Sequence, residues 1–480
     1  MVQAFMKDAF PHHTGRAGHD RPHPLSSRSQ LRFHGNTLRS LSCLHLNEAN
    51  VLLASCGFFV AKCDEKSTSA ANGEPALLPF TAINTLCIIW SNKVYLLSDG
   101  GNVMQRRIEQ LDGLRGLASF TVMLHHLYLV FPFLPLLFRY SPLRVVVNGH
   151  ASVILFFVLS GYVLALPFME RSGGSYRSFV IRRIFRIYVP YLVSVILATL
   201  MASWLASGRI PGIDAWQRGI HPGTLAGHLF LVADTDTKAL NNVMWSLVHE
   251  MRISLLFPLI TLCVLRWGWR ANLLVCLLLS ASGGLKTSLP WGHEDITLWD
   301  TLHYAAMFLI GAMLAKNKSS IAEAYRKLTA LRKWKFLIAA FPLYAYSTVI
   351  ASAASKMGFM PYDVIISDYA AAIAAAVWIV YAVNSTRLSK QLLLRKPVVF
   401  LGRISYSLYL YHLIVLFSLM FAFYGTLPNA VIYAGTIVLS LLLSALSHRF
   451  VERPAIAWGR RFADRPSRTQ IGRPALTKES

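Results

Sequence analysis

Apolar residues recur along the chain in runs of mostly about 17 to 25 residues, the length at which an α-helix crosses the hydrocarbon of a bilayer. A shorter run at 224–233 cannot cross and is predicted to be re-entrant or interfacial. The pattern predicts an all-α fold, a polytopic membrane helix bundle of about ten transmembrane helices. They are expected at about 117–137, 147–168, 188–206, 244–265, 271–283, 299–315, 336–354, 365–384, 398–422 and 430–448.

Composition and charge agree with a membrane protein. Hydrophobic residues make up 54% of the chain and charged residues 15%, whereas soluble domains carry about 25% charged residues. The net charge of +24 lies in alternate connections, with 29 Lys and Arg in the predicted inside segments and 7 in the outside loops. This positive-inside bias predicts that both ends of the core lie in the cytoplasm. The expected location is the cell inner (plasma) membrane, with the chain crossing it several times. It excludes nucleic acid as the partner, because no basic face runs along one element.

Residues 1–104 differ from the rest of the chain. The opening stretch is polar without periodicity, and the apolar patches at 51–61 and 76–90 are too weak to span a bilayer. We expect 1–104 to be a poorly ordered leader, with translation starting at or near Met104. Residues 105–460 then form the transmembrane domain, and 461–480 a basic cytoplasmic tail. The six cysteines form no CxxC pair and have no zinc-like spacing with histidine, so no metal site is expected.

Arg115 and His126 are the first residues with candidate chemistry. They are eleven residues apart, which places both on one helix face, about 16 Å apart along the axis. An anionic ligand bound at Arg115, at the cytoplasmic surface, would then reach His126 near mid-membrane. The alternative is a snorkelling arginine and a histidine that bonds a neighbouring helix.

Two further segments carry basic or small polar residues. Arg183 and Arg186 are one helical turn apart at the cytoplasmic start of the third span, where they suit a phosphate-bearing ligand or ordinary membrane anchoring. Ser160 belongs to FFVLSG at 156–161, whose small residues favour close helix packing.

The fourth span carries a carboxylate. Glu250 lies one turn after Ser246 on the same face, and an intramembrane carboxylate pairs, relays protons or acts as a base. Arg252 could pair with it, although residues two apart face different ways. In the ninth span, Ser405 and His412 share a face, which either a buried polar stripe or catalysis explains.

Together these motifs resemble the acyltransferase-3 family of membrane O-acyltransferases, which includes lipopolysaccharide, exopolysaccharide and Nod-factor O-acetyltransferases. The resemblance runs from about 106 to 460, with the motifs in family order. They are LDGLRG at 111–116, the arginine–ten residues–histidine spacing ending at His126, FFVLSG at 156–161, RIFR at 183–186, WSLVHE at 245–250, GRISYSLYLYH at 402–412 and HRFVERP at 448–454.

The resemblance implies transfer of an acyl group from acyl-CoA, usually acetyl-CoA, to a hydroxyl of a carbohydrate or glycolipid acceptor. It implies no bound cofactor, since acyl-CoA is a co-substrate. His126 is then the catalytic base and Glu250 a residue that orients or assists it. Arg115, Arg183 and Arg186 would hold the donor. Ser160, Ser246 or backbone amides are candidates for stabilising the oxyanion, and both direct transfer and a covalent acyl intermediate are open. VHEMR departs from a VEEQF-like family string at His249, which leaves the acceptor open.

Two other functions compete with acyl transfer. A proton-coupled secondary transporter would use His126 and Glu250 as a relay, but the two halves of the chain show no convincing repeat. A non-catalytic acyl-lipid sensor would bind without releasing a thiol.

Overall fold

The described residues fall into two units, one within 11–107 and the other from Ile108 onward. Most of the predicted leader, its boundary at residue 104 and the tail beyond 464 lie outside the described residues. The computed structural model describes residues 60–61, 86–90, 93–97 and 108–464, without 131–134, 171–174, 212, 218–220, 234–235, 289–296, 358–362 and 385.

Three short strands are described in the N-terminal unit. They are β1 (Val60–Ala61), β2 (Leu86–Trp90) and β3 (Lys93–Leu97), joined as an antiparallel sheet in the order β1-β2-β3. Ile88 pairs with Val60 on one side and with Tyr95 on the other. The first two strands fall in the apolar patches that were too weak to predict a span.

From Ile108 onward every described element is helical, which confirms the α-helical class for this unit. Pro142–Val147 is a 3-10 helix and His448–Glu452 a π-helix. The α-helices are α1 (Glu109–Val130), α2 (Pro135–Tyr140), α3 (Gly149–Met169), α4 (Tyr176–Leu205), α5 (Pro222–Leu229), α6 (Thr237–Leu240), α7 (Met244–Arg266), α8 (Trp269–Ser288), α9 (Leu298–Lys316), α10 (Lys318–Lys327), α11 (Ala330–Ala345), α12 (Ser347–Lys356), α13 (Asp363–Asn384), α14 (Thr386–Leu393), α15 (Lys396–Phe423), α16 (Asn429–Ser447) and α17 (Arg453–Ala463).

Seven described helices are long and apolar enough to span a membrane, or eight if the bent pair α11 and α12 is one span. The chain is thus a multi-pass membrane protein, but the predicted count of ten is not confirmed. The helix α1 is not among the seven, and the apolar part of α8, Trp269–Gly283, is shorter than the rest. The run predicted at 336–354 is two helices with a bend of 67° between them. The run at 224–233 contains only the short helix α5.

Glycines allow close backbone contacts between helices in the core. A Cβ on Gly116 of α1 would overlap the backbone nitrogen of Gly402 on α15, so these two helices touch backbone to backbone. At the crossing of α3 and α9, a Cβ on Gly161 would overlap the Phe308 carbonyl, and one on Gly311 the Val158 carbonyl. Small residues allow such approach where packing, rather than the hydrophobic effect, associates helices. Gly161 therefore has the packing role that FFVLSG predicted.

Helix direction follows from which residues are paired. Along α1 and α15, Gly116 meets Gly402, Ser119 bonds the Ser405 carbonyl, and His126 meets His412, so these helices are parallel. The start of α3 is fixed by Asn148, whose side-chain oxygen accepts the Ala151 N–H. Gly149, the next residue, packs against His125, so α3 begins where α1 ends and runs antiparallel to it.

Candidate active site

A cavity of ≈ 80 Å³ opens between five helices of the core. Six of the seven predicted site residues line it, contributed by α1, α3, α4 and α7; His126 does not. The polar side chains in its wall are Arg115, Ser160, Arg183, Arg186, Ser246, Glu250, Ser405, Tyr406 and Tyr409.

The contact of α1 with α15 places Arg115 in this wall. Gly116 allows the two backbones to touch, and the Ser119 hydroxyl donates to the Ser405 carbonyl at 2.8 Å. Arg115 precedes that contact by one residue, so its guanidinium lies beside the Ser405 segment rather than in lipid. Asp112, one turn earlier, lies 3.8 Å from the guanidinium. The LDGLRG motif thus combines a helix contact with a positioned cation.

Glu250 pairs with Arg183 across α4 and α7. The Arg183 Nη2 group donates to Glu250 Oε1 at 2.8 Å and to Ser254 Oγ at 2.8 Å. The two charged side chains are 10% and 20% exposed, so the pair is largely removed from water. Taking a charge out of water is costly unless it is paired and hydrogen-bonded, which explains why both charges occur together.

The expected partnership of Glu250 with His126 is not observed, because the carboxylate contacts Arg183 instead. Arg252 is not the partner of Glu250 in the described contacts either, because it faces another way. It donates to the Val232 carbonyl at 2.8 Å and to Thr301 Oγ1 at 3.2 Å. No described contact joins Glu250 to His126, so the relay of the transporter alternative gains no support.

The cavity wall carries excess positive charge. Three guanidiniums, those of Arg115, Arg183 and Arg186, face one carboxylate, that of Glu250, which leaves a formal charge of +2 on the lining side chains. The described ion pairs assign Glu250 to Arg183 alone. Arg186 is exposed, and no ion pair joins it to a described residue. A wall of this kind suits an anion that can contact several guanidiniums.

Hydroxyl groups also line the wall. Ser246 Oγ lies 2.6 Å from the Tyr409 hydroxyl and 3.2 Å from the Val243 carbonyl, so it is already engaged. Ser160 is buried, and no hydrogen bond joins its hydroxyl to another described residue. Of the two serines predicted to stabilise an oxyanion, Ser160 therefore has the hydroxyl that can donate into the cavity.

His126 lies beyond the cavity, next to His412 of α15. Its Nδ1 lies 2.9 Å from the Val122 carbonyl, which can only accept, so the proton is on Nδ1. His412 likewise donates from Nδ1 to the Leu408 carbonyl at 2.9 Å. The His412 Nε2 lone pair then faces the His126 Nδ1–H at 3.2 Å. The Nε2 of His126 consequently carries a lone pair, the form required of a general base.

Tyr409 connects the cavity with this histidine pair. Its hydroxyl bonds Ser246 in the cavity wall, and its ring lies 6.2 Å from the His412 ring. Arg115 and His126 are about 16 Å apart along α1, at 1.5 Å per residue. The site therefore has two ends, called here the arginine end (Arg115, Arg183 and Arg186) and the histidine end (His126 and His412).

Some residues near the site were missed or left open by the sequence. The stripe of Ser405 and His412 at i,i+7 was noticed, but the contact of His412 with His126 depends on the parallel packing of α1 and α15. Asp368 was missed altogether, although it lies in the predicted span at 365–384. It contacts His150 and His303. A carboxylate in an apolar run is the signal that could have found it.

Comparison with known proteins was made against solved structures, curated proteins and family models. No solved structure matches the chain significantly. Acyltransferase MdmB of Streptomyces mycarofaciens is 32% identical over 153 residues, which cover 32% of this chain and 39% of that relative. The family model described as an acyltransferase domain, that of the acyltransferase-3 family, matches residues 108–449, the helical unit that holds the cavity and the histidine pair. The chain belongs to the acyltransferase-3 family.

Proposed function

We propose that the protein is a membrane O-acyltransferase that moves an acyl group, acetyl in the simplest case, from acyl-CoA to a hydroxyl of a sugar, glycan or glycolipid. The observation that supports this most is the cavity in which three arginines face a single carboxylate. Acyl-CoA carries several phosphate groups at one end and a reactive thioester at the other. Such a donor fits a site with cations at one end and a base at the other.

The arginines divide into two roles in this proposal. Arg115 and Arg186 contact the donor phosphates, because a guanidinium fork matches phosphate oxygens in geometry and charge. Arg183 is held by Glu250 and Ser254, which fixes its guanidinium in the wall. Glu250 therefore acts on the donor site through Arg183, rather than on His126.

His126 is the base of the proposed reaction. The acceptor hydroxyl gives its proton to His126 Nε2 while its oxygen bonds the thioester carbonyl carbon. The carbon–sulfur bond then breaks, and the CoA thiolate takes the proton back from the imidazolium. His412 accepts the Nδ1–H bond of His126 at 3.2 Å and stabilises the ring orientation throughout. The Ser160 hydroxyl is the donor proposed for the developing oxyanion.

The proposed membrane arrangement has ten spans. It adds α1 and α8 to the seven apolar helices and counts the bent pair α11 and α12 as one span. The bias of Lys and Arg between alternate connections supports this count. It puts both ends of the helical unit in the cytoplasm and the protein in the inner (plasma) membrane. The arginine end then faces the compartment in which acyl-CoA is made.

Radiolabelled acetyl-CoA tests the donor assignment. Purified protein in vesicles receives labelled acetyl-CoA and glycolipid extracted from the producing cells, and label in the glycolipid fraction is counted. Arg186→Ala should raise the KM for acetyl-CoA about tenfold or more, since a hydrogen bond to a charged group contributes about 1.5–3 kcal/mol. Arg182→Ala is the matched control, because Arg182 is half exposed, pairs with Asp464 and lies outside the cavity wall. Equal KM values for the two variants would contradict the donor site.

A further inference from the structure

A second buried polar cluster lies outside the cavity, between α3, α9 and α13. Asp368 is fully buried, and each of its oxygens meets one imidazole. His150 Nε2 lies 2.5 Å from Oδ1, and His303 Nε2 lies 3.1 Å from Oδ2. His303 Nδ1 continues the cluster to Ser280 Oγ at 3.0 Å. We call these residues the His150 cluster; the proposed acyl transfer uses none of them.

Hydrogen bonding sets which nitrogen of His150 is available. A carboxylate accepts, so the Nε2 groups of both His150 and His303 carry their protons toward Asp368. The remaining nitrogen of His303 contacts Ser280, but that of His150 has no partner among the described residues. The His150 side chain is also 31% exposed, whereas those of Asp368 and His303 are 0% and 6% exposed. The cluster therefore holds the His150 ring in a fixed direction, with its Nδ1 accessible from outside the core.

The His150 cluster lies at the histidine end of the site. His150 is ten residues before Ser160 on α3, about 15 Å along the helix, so it lies well away from the part of the cavity that Ser160 lines. Gly149, its neighbour in sequence, packs against His125, whose ring is 5.4 Å from that of His126. The accessible imidazole thus lies near the proposed base and away from the three arginines.

Trp245 connects the cluster with the cavity wall. Its ring stacks on that of His150 at 6.5 Å with 15° between the planes. Its edge contact with Phe157, at 6.4 Å, reaches a residue that lines the cavity. Trp245 is itself partly exposed. An aromatic surface beside a fixed hydrogen-bonding group is typical of sites that bind small polar ligands with apolar faces.

We propose that His150 and Trp245 form the binding site for the acyl acceptor, a polyhydroxylated, carbohydrate-type molecule. His150 Nδ1 forms a hydrogen bond with an acceptor hydroxyl, and Trp245 packs against the C–H face of the sugar ring. Asp368 is a positioning residue that sets the direction of the His150 ring. This assignment rests on the proposed acyl transfer, in which the acceptor meets His126 from the end opposite the donor phosphates.

Separate Michaelis constants for the two substrates test this site. Labelled acetyl-CoA and the glycolipid extract of the producing cells are varied in turn in vesicles. His150→Phe keeps a ring on Trp245 but removes the nitrogen, and Asp368→Asn removes one of the two acceptors that orient the histidines. Both should raise the apparent KM for the extract about tenfold and leave the KM for acetyl-CoA within twofold. Ser367→Ala is the matched control, since Ser367 is buried beside Asp368 and its hydroxyl has no partner among the described residues.

The outcomes separate this inference from the proposed function. A wild type that transfers label, with an extract KM unchanged in His150→Phe, overturns the acceptor site alone. An equal rise in both KM values also overturns the acceptor site, because the His150 cluster would then only hold α3, α9 and α13 together. If Asp368→Asn fails to fold, the KM values of His150→Phe still test the acceptor site. A wild type that transfers no label removes the proposed function and the acceptor site together.

Discussion

The Arg183–Glu250 pair is the interaction on which the donor site most depends at the level of single residues. It joins α4 to α7, and both side chains are largely removed from water. Ser254 supplies a further hydrogen bond to the same guanidinium at 2.8 Å. If one partner is removed, a buried charge remains without its counterion, which costs more than the pair contributes.

Glu250→Ala should therefore destabilise the protein by about 3–5 kcal/mol, the range found when a buried pair loses one partner. The free energy of unfolding is measured by denaturant titration in detergent. Glu323→Ala serves as the control, because Glu323 and Lys327 form an exposed pair on α10 and its loss should not change stability measurably. Equal free energies of unfolding for the two variants would show that Glu250 does not stabilise the buried Arg183 charge.

At the level of residues, the sequence predicted which side chains carry chemistry better than it predicted which side chains they contact. Arg115, Arg183 and Glu250 could be identified because charged groups in apolar runs are rare and expensive. Their mutual contacts could not, because a pair such as Arg183 and Glu250 is 67 residues apart and forms only when α4 and α7 pack. The contact of His412 with His126 could not be predicted for the same reason.

Helix contacts set the distances within the site. The crossing of α3 with α9 brings Gly161 against the Phe308 backbone and Gly311 against the Val158 backbone. Ser160, next to Gly161, lines the cavity, and Phe157 on the preceding turn does too. Any separation of α3 from α9 would therefore move the cavity wall as well as open the core.

Gly161→Ala should destabilise the protein by about 1–3 kcal/mol, the usual effect of overpacking, because the new methyl overlaps a backbone carbonyl rather than a flexible side chain. Thermal unfolding followed by circular dichroism in detergent measures this. Gly268→Ala is the control, since nothing lies within 4 Å of the position that its Cβ would take. An unchanged melting temperature for Gly161→Ala would mean that the α3–α9 crossing is looser than described.

Hydropathy predicted the positions of the helices more accurately than the residues at which they begin. The span expected at 188–206 is a helix that begins at Tyr176, and the one expected at 117–137 begins at Glu109. In both cases the first turns carry arginines that face the cavity, and polar residues do not register as an apolar run. Backbone hydrogen bonding continues through them nevertheless. The 67° bend between α11 and α12 could not be predicted from hydropathy either, because the apolar run continues through it.

At the level of the whole molecule, the arginine end and the histidine end are separated along the same helices. Arg115 and His126 are both on α1, and Ser160 and His150 are both on α3. The alternation of Lys and Arg predicts which end faces the cytoplasm. The order of the spans followed from the sequence alone, but their arrangement around one cavity required the packing of five helices.

Cysteine labelling in intact cells tests the orientation, after the native cysteines are replaced by alanine. Ser207→Cys, in the exposed segment after α4, should react with a membrane-impermeant maleimide added outside. Ser319→Cys, exposed on α10, should react only after the membrane is opened. Labelling in the reverse order would place the arginine end outside and separate it from cytoplasmic acyl-CoA.

Transfer of label by His126→Ala tests the central claim most directly. Wild type, His126→Ala and the adjacent His125→Ala are compared in vesicles with radiolabelled acetyl-CoA and glycolipid extract, at equal amounts of folded protein by gel filtration. Loss of a general base lowers the rate by about 10²–10⁴-fold, so His126→Ala should fall in that range while His125→Ala keeps most of the wild-type rate. A His126→Ala protein that transfers label at the wild-type rate would contradict the catalytic assignment.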